Sequence, residues 1–278
     1  MTITIIARLT FREASRRKIL WAALLLGVLF LVVYGLGLHF MQVDIQDPRN
    51  RVSPIAQREI YNFMLMAGMY AVNFLTIAMS VLTSIGTLSS EVASGTIQTL
   101  ATKPVRRLEI LLGKWLGFVV MLSLYLILMA GGTMAVVYTI TGYTAPNALR
   151  GLALLWMNAM LLLSVSLFGG SFMSTLANGV LAFGLYGVAF VGGWVEQIGS
   201  FLNNQVAVNI GILSSLIIPS EALWKRAAYE MQSPLAGAMG FSPFSSASTP
   251  SGLMVAYAAL YIIAMLGLAI RLFNRRDL

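Results

Sequence analysis

Six apolar runs, near 19–40, 61–87, 109–139, 150–172, 178–199 and 252–273, dominate this chain. Runs of about 20 residues cross roughly 30 Å of hydrocarbon as a helix. A bilayer interior offers the main chain no water to bond, so only helices and closed barrels span it. Barrel strands alternate apolar and polar residues in blocks of about 10, and no such alternation is present. The runs therefore predict an all-α polytopic membrane protein. It has six transmembrane helices, an N-terminal amphipathic interfacial helix, and a re-entrant or interfacial segment between helices 5 and 6. Composition agrees: 58% of the 278 residues are hydrophobic and 10% charged, where soluble domains carry about 25% charge. Residues 1–278 are expected to form one transmembrane domain, with an elbow helix at 2–18, a loop at 88–108 and a connection at 200–251.

Charge placement sets the expected orientation. One side would hold Arg8, Arg12, Arg16, Arg17, Lys18, Lys103, Arg106, Arg107, Lys114, Arg271, Arg275 and Arg276 against Glu13, Glu91, Glu109 and Asp277. The other would hold Arg49, Arg51, Arg58, Arg150, Lys225 and Arg226, balanced by Asp44, Asp47, Glu59, Glu196, Glu221 and Glu230. The whole net charge of +8 thus falls on one face. The positive-inside rule makes that face cytoplasmic, with both termini on it. The charge reflects topology, so no nucleic-acid partner is expected. Ile19–Phe40 is too long for a signal-peptide core and lacks a small-x-small exit, which makes it a retained first span.

On a helix, Arg8, Arg12 and Arg16 form one stripe while Ile3, Ile6, Ala7, Phe11 and Ala14 gather opposite. Ile5 and Leu9 stray towards the basic side. Such a helix would lie in the interface with its arginines toward anionic headgroups of the lipid bilayer; alternatively these are ordinary flanking charges. Residues 206–218 are apolar but short for a span, which favours a re-entrant or interfacial segment. Ser220 is expected to cap a short helix, SEALWKRAAYEM, with Trp224 and Tyr229 at an interface.

Several chemistries are excluded. The chain has no cysteine and one histidine, His39, so thiolate and histidine-cluster metal sites are unavailable. There is no H-E-x-x-H, no nucleophile elbow and no P-loop: Gly113-Lys114 is followed by Trp115, not by Ser or Thr. No charge falls in the middle of an expected span. Asn73 and Asn158 do, and they either bond helices to one another or line a translocation path. The small residues Ser166, Gly170 and Ser174, and Gly179, Gly184, Gly187, Gly192 and Gly193, would pack helices closely within the chain or against a second copy. Met64, Met66 and Met69 are close together, but methionine is ordinary filler in apolar spans.

The loop SSEVASGTIQTLATKPVRRLEILLGK is the most informative stretch. Leu88, Val92, Ile97 and Leu100 suggest a short amphipathic helix. Lys103-Pro104 breaks it, and Pro104 can open the next helix. The order Glu91, Gly95-Thr96, Lys103-Pro104-Val105-Arg106-Arg107, Glu109 and Gly113-Lys114 resembles the cytoplasmic loop of type 2 ATP-binding-cassette transporter permeases. Within that family it is most similar to the permease component of multicopper-enzyme maturation systems. The resemblance implies a prokaryotic inner-membrane subunit that dimerises and docks a separate nucleotide-binding ATPase, the partner holding ATP and magnesium. It carries Glu91, Gly95, Thr96, Lys103, Pro104, Arg106, Arg107, Glu109, Gly113 and Lys114 over as coupling residues, and Arg8, Arg12, Arg16, Arg17 and Lys18 as the elbow helix. Arg106, Arg107 and Lys114 are alternatively plain topological anchors, and Glu91 alternatively pairs with the elbow arginines. The function expected is an ATP-driven exporter's permease subunit, itself not an enzyme. A membrane scaffold or assembly factor is the alternative, and an intramembrane enzyme the remaining one.

Overall fold

The computed structural model describes residues 2–50, 52–89, 106–235 and 249–275. Among them run α1 (Thr2–Arg16), α2 (Lys18–Gln46), α3 (Pro54–Ser84), α4 (Arg107–Thr141), α5 (Ala148–Gly170), α6 (Thr175–Phe201), α7 (Gln205–Ile217), α8 (Ser220–Met231) and α9 (Gly252–Arg275), with no strand among the described residues. Helices α2 to α6 and α9 are the six elements long and apolar enough to span a membrane, each over one of the predicted runs. Several ends lie further out than the apolar runs, as at α3, which starts at Pro54, whereas α5 stops at Gly170 inside its run.

Local chemistry sets those ends. Ser53 accepts from the Ala56 N–H at 3.3 Å, and Pro54 takes the first helical position, where its missing N–H costs nothing. Ser174 opens α6 the same way through Ala177, and Asn204 opens α7 through Val206 and Ala207. Gly142 closes α4 at φ 69°, a left-handed conformation that glycine adopts without penalty.

Helices α3 and α5 form the centre of the bundle: the apolar stretch of α5 is 67% buried, against 6% for α2 at the edge. Leu65, Met69, Val72 and Met79 of α3 meet Leu122 and Met129 of α4 and Leu163 of α5 in the main core. Trp115 and Trp156 cross-link α4 to α5 by donating to Ser164 (3.2 Å) and Ser123 (2.8 Å).

Between α7 and α8 the chain bends by 106°. The 13 residues of α7 rise only about 20 Å, too little to cross a bilayer, and the bend turns α8 back. The pair is therefore the re-entrant element expected between helices 5 and 6. Two ties show which ends share a side. Asn62, near the start of α3, donates to the carbonyl of Met231 at the end of α8 (3.3 Å). Arg107, at the start of α4, donates to Phe273 at the end of α9 (3.0 Å). Six crossings then bring both chain ends to one side, called here the terminal side; the hairpin hangs from the far side.

Glycine makes the hairpin possible. A methyl group at Gly192 would strike Ser214, at Gly193 Glu221, and at Gly199 Ala207. These small residues pack inside the chain, while Gly184 and Gly187 face open space. Two details differ from the sequence expectation. Pro219, not Ser220, takes the cap position of α8, and the Ser220 hydroxyl is buried with no hydrogen-bond partner. Trp224 is not at an interface; it is 2% exposed, with its ring 4.9 Å from Tyr70, because α8 is folded into the bundle.

Candidate functional site

The predicted coupling residues Glu91, Gly95, Thr96, Lys103 and Pro104 lie outside the described residues. Both flanks of that loop are described, and each is bonded to another span. Upstream, the Ser89 hydroxyl meets that of Thr175, the first residue of α6, at 2.7 Å. Downstream, the Arg107 guanidinium donates to the carbonyls of Phe273 and Asn274 at 3.0 and 3.1 Å. Those carbonyls lie in the last described turn of α9, where a cation complements the helix dipole. Glu109 accepts from the Arg106 N–H at 3.2 Å, which closes the first turn of α4. Arg106 itself points to solvent, and Lys114 is buried.

Gly113 and Gly117, four apart on α4, form the seat of the elbow helix. A Cβ at Gly113 would lie 2.6 Å from Ile6 Cβ, and one at Gly117 2.7 Å from the Ala7 carbonyl oxygen. Backbones approach this closely only where side chains are absent. The face of α1 carrying Ile3, Ile6, Ala7 and Ala14 therefore packs on α4. Ile5 and Leu9, which looked like flaws in the amphipathic pattern, are the large apolar residues that α1 leaves exposed, each at 58%. Arg8, Arg12, Arg16 and Lys18 are exposed, and Arg17 pairs with Glu13 at 2.6 Å.

Asn73 and Asn158 are brought together. Both are buried, and Asn158 Nδ2 donates to Asn73 Oδ1 at 3.1 Å between α3 and α5. Next to the loop's upstream flank, Ser84 donates to Ser166 (2.8 Å), and Asn178 donates to the carbonyls of Ser166 (2.8 Å) and Ile85 (3.1 Å). These bonds tie the terminal-side ends of α3, α5 and α6 into one block.

The far side holds charges that sequence inspection treated only as a balanced tally. Lys225 on α8 pairs with Glu196 on α6 at 2.7 Å, and both are buried. Glu221, one turn before Lys225, is 7% exposed. Further along α8, Glu230 accepts from Arg226 at 2.8 Å and lies 3.7 Å from Arg150. Asn62 joins Tyr143 (2.8 Å), Met231 and the Ser233 N–H (3.1 Å) across three segments. The available sequence signal was the pairing of acid and base at i and i+4 on one short helix, Glu221 with Lys225 and Arg226 with Glu230. It does not reveal Glu196, which stands 29 residues before its partner.

Six spanning helices with both ends on one side, a docked amphipathic elbow and a far-side re-entrant hairpin define a polytopic all-α membrane protein. The family model described as "ABC-2 family transporter protein" matches residues 4–278, and the chain belongs to that family. It is accordingly a permease subunit of an ATP-binding-cassette transporter. No curated protein matches the chain.

Proposed function

We propose that this permease works as an exporter, that two copies pair, and that residues 88–108 face the cytoplasm and couple each copy to a separate ATPase subunit. The observation that carries this reading is the anchoring of both loop flanks: Ser89 to the start of α6, and Arg107 to the end of α9. Because α4 also seats the elbow helix at Gly113 and Gly117, a push on the loop reaches α1, α4, α6 and α9 together. A loop tethered to only its own two helices would lack that reach. These 278 residues contain no P-loop, which supports an ATP site outside them, on an ATPase partner. The basic terminal side supports a cytoplasmic placement of both ends in a prokaryotic inner membrane.

Reconstitution with the partner ATPase tests the coupling. Glu91→Lys is expected to abolish transport-linked stimulation of ATP hydrolysis while membrane insertion stays intact. Normal transport and hydrolysis in that variant removes Glu91 from the coupling surface. Failure of any ATPase to co-purify with the wild-type chain overturns the coupled reading as a whole.

A further inference from the structure

The cluster of Glu196, Glu221 and Lys225 holds three buried ionisable groups and, among the described residues, one ion pair. Glu196 and Lys225 neutralise each other at 2.7 Å. Glu221 makes no hydrogen bond or ion pair among the described residues, although it is 7% exposed. Ionised, it would leave one uncompensated negative charge inside a membrane protein, a far costlier state than the neutral acid.

Among the described residues, no neighbouring element supplies a second cation. The groups in electrostatic reach of Glu221 are Lys225 on its own helix, Glu196 and Tyr186 on α6, and Tyr70 on α3. Helix α7 has no ionisable side chain. The ionisable groups of α9 are Tyr257 and Tyr261 on its far half and two arginines at its terminal-side end. That of α5 is Arg150, which lies beside Glu230 at the other end of α8.

Two further observations point to a ligand. The cluster borders open cavities: Glu196 lines one of about 180 Å³ with Ala222, Lys225 and Met254. It also lines a second, of about 250 Å³, with Asn203, Asn204 and Gln205 at the far-side turn. Glu221 also follows a sharp corner in the chain: the main chain bends by 106° between α7 and α8, just before it. The neighbouring Ser220 hydroxyl is fully buried and unpartnered, so the closed hairpin seals polar groups that gain hydration when it opens. Membrane transporters hold coupling ions at just such breaks between half-helices.

We infer that Glu221 is a proton-binding site reached from the far side, and that release of its proton lets the α7–α8 hairpin swing away from α6. The carboxylic acid gives its proton to water in the Glu196-lined cavity and becomes a carboxylate; closure reverses the step. The closed form binds one proton that the open form lacks. Acid on the far side therefore holds the hairpin shut, and alkali opens it. The inference concerns this chain alone and stands independently of the partner ATPase and of the direction of transport.

The absence of cysteine makes a clean test available. Ile212→Cys, on the partly exposed face of α7 beside the smaller cavity, would carry an environment-sensitive, pH-insensitive fluorophore in the full chain in nanodiscs. The emission is expected to pass through a one-proton transition near the value to which burial pushes the Glu221 carboxyl up, about 7. Glu221→Gln, which mimics the neutral acid, should lose that transition and remain at the acid-end value. A Glu221→Gln trace that keeps the transition overturns the assignment. Two arms need no change at Glu221: a flat trace overturns the site, and a transition that follows sodium at fixed pH overturns the proton as its ligand.

Discussion

Arg107 caps α9 from the side: its guanidinium donates to the carbonyls of Phe273 and Asn274 at 3.0 and 3.1 Å. The first residue of α4 thereby holds the final turn of the last span, although 166 positions separate it from Phe273 in the chain. A planar fork of donors is well shaped to bridge two neighbouring carbonyls.

Arg107→Ala is expected to lower stability by about 1–2 kcal/mol, since hydrogen bonds from a charged donor are lost at a partly exposed site. Thermal unfolding in detergent would show a reduced Tm. Arg107→Lys should recover part of the loss, because an ammonium replaces the charge but not the fork.

Gly117→Ala should dislodge the elbow helix. The added Cβ would fall 2.7 Å from the Ala7 carbonyl oxygen, a backbone atom with no rotamer to escape into. Limited proteolysis after the basic residues of 8–18 should accelerate in the variant. Gly131→Ala, also on α4 but with open space before it, is expected to leave the cleavage rate unchanged.

The Asn73–Asn158 pair supports a double-mutant cycle with leucine. Each single change strands a buried amide, while the double change removes both, so the double variant should be more stable than the two single effects add to. Interhelical bonds of this kind in membranes are worth about 0.6 kcal/mol on average and reach about 1.7, which sets the expected coupling. Transport by the double variant separates a packing role from one in the translocation path: full activity is expected if the pair only joins α3 to α5.

Lys225→Met should be among the most damaging single changes on the far side. It leaves Glu196 buried without its ion partner, a loss on the order of 3–5 kcal/mol. Adding Glu196→Gln removes the stranded charge and should restore most of the folded yield, measured by size-exclusion chromatography after extraction.

Much of this architecture is legible along the chain because its causes are local. An apolar run of sufficient length must be a spanning helix wherever its neighbours lie, so all six spans, and the shortness of 206–218, can be read directly. The loop motif at 91–114 was enough to suggest the permease family. The use of the elbow helix was not legible, because its apolar face suits lipid and protein equally. Only Gly113 and Gly117, about a hundred residues later, decide for protein. Trp224 misled for a related reason: a Trp on a short polar helix suits an interface unless that helix is folded back against α3.

The sequence by itself determined the number of spans, their order and the asymmetry of charge, since bilayer thickness and main-chain hydrogen bonding act on each segment independently. Tertiary structure alone decided which side of each helix is spoken for. The Glu196–Lys225 pair, the unpartnered Glu221 and the clamp of Arg107 on Phe273 all depend on the rotation and depth at which helices meet. Those are set by close packing at glycines such as Gly193 and Gly117, a collective property that no single segment contains.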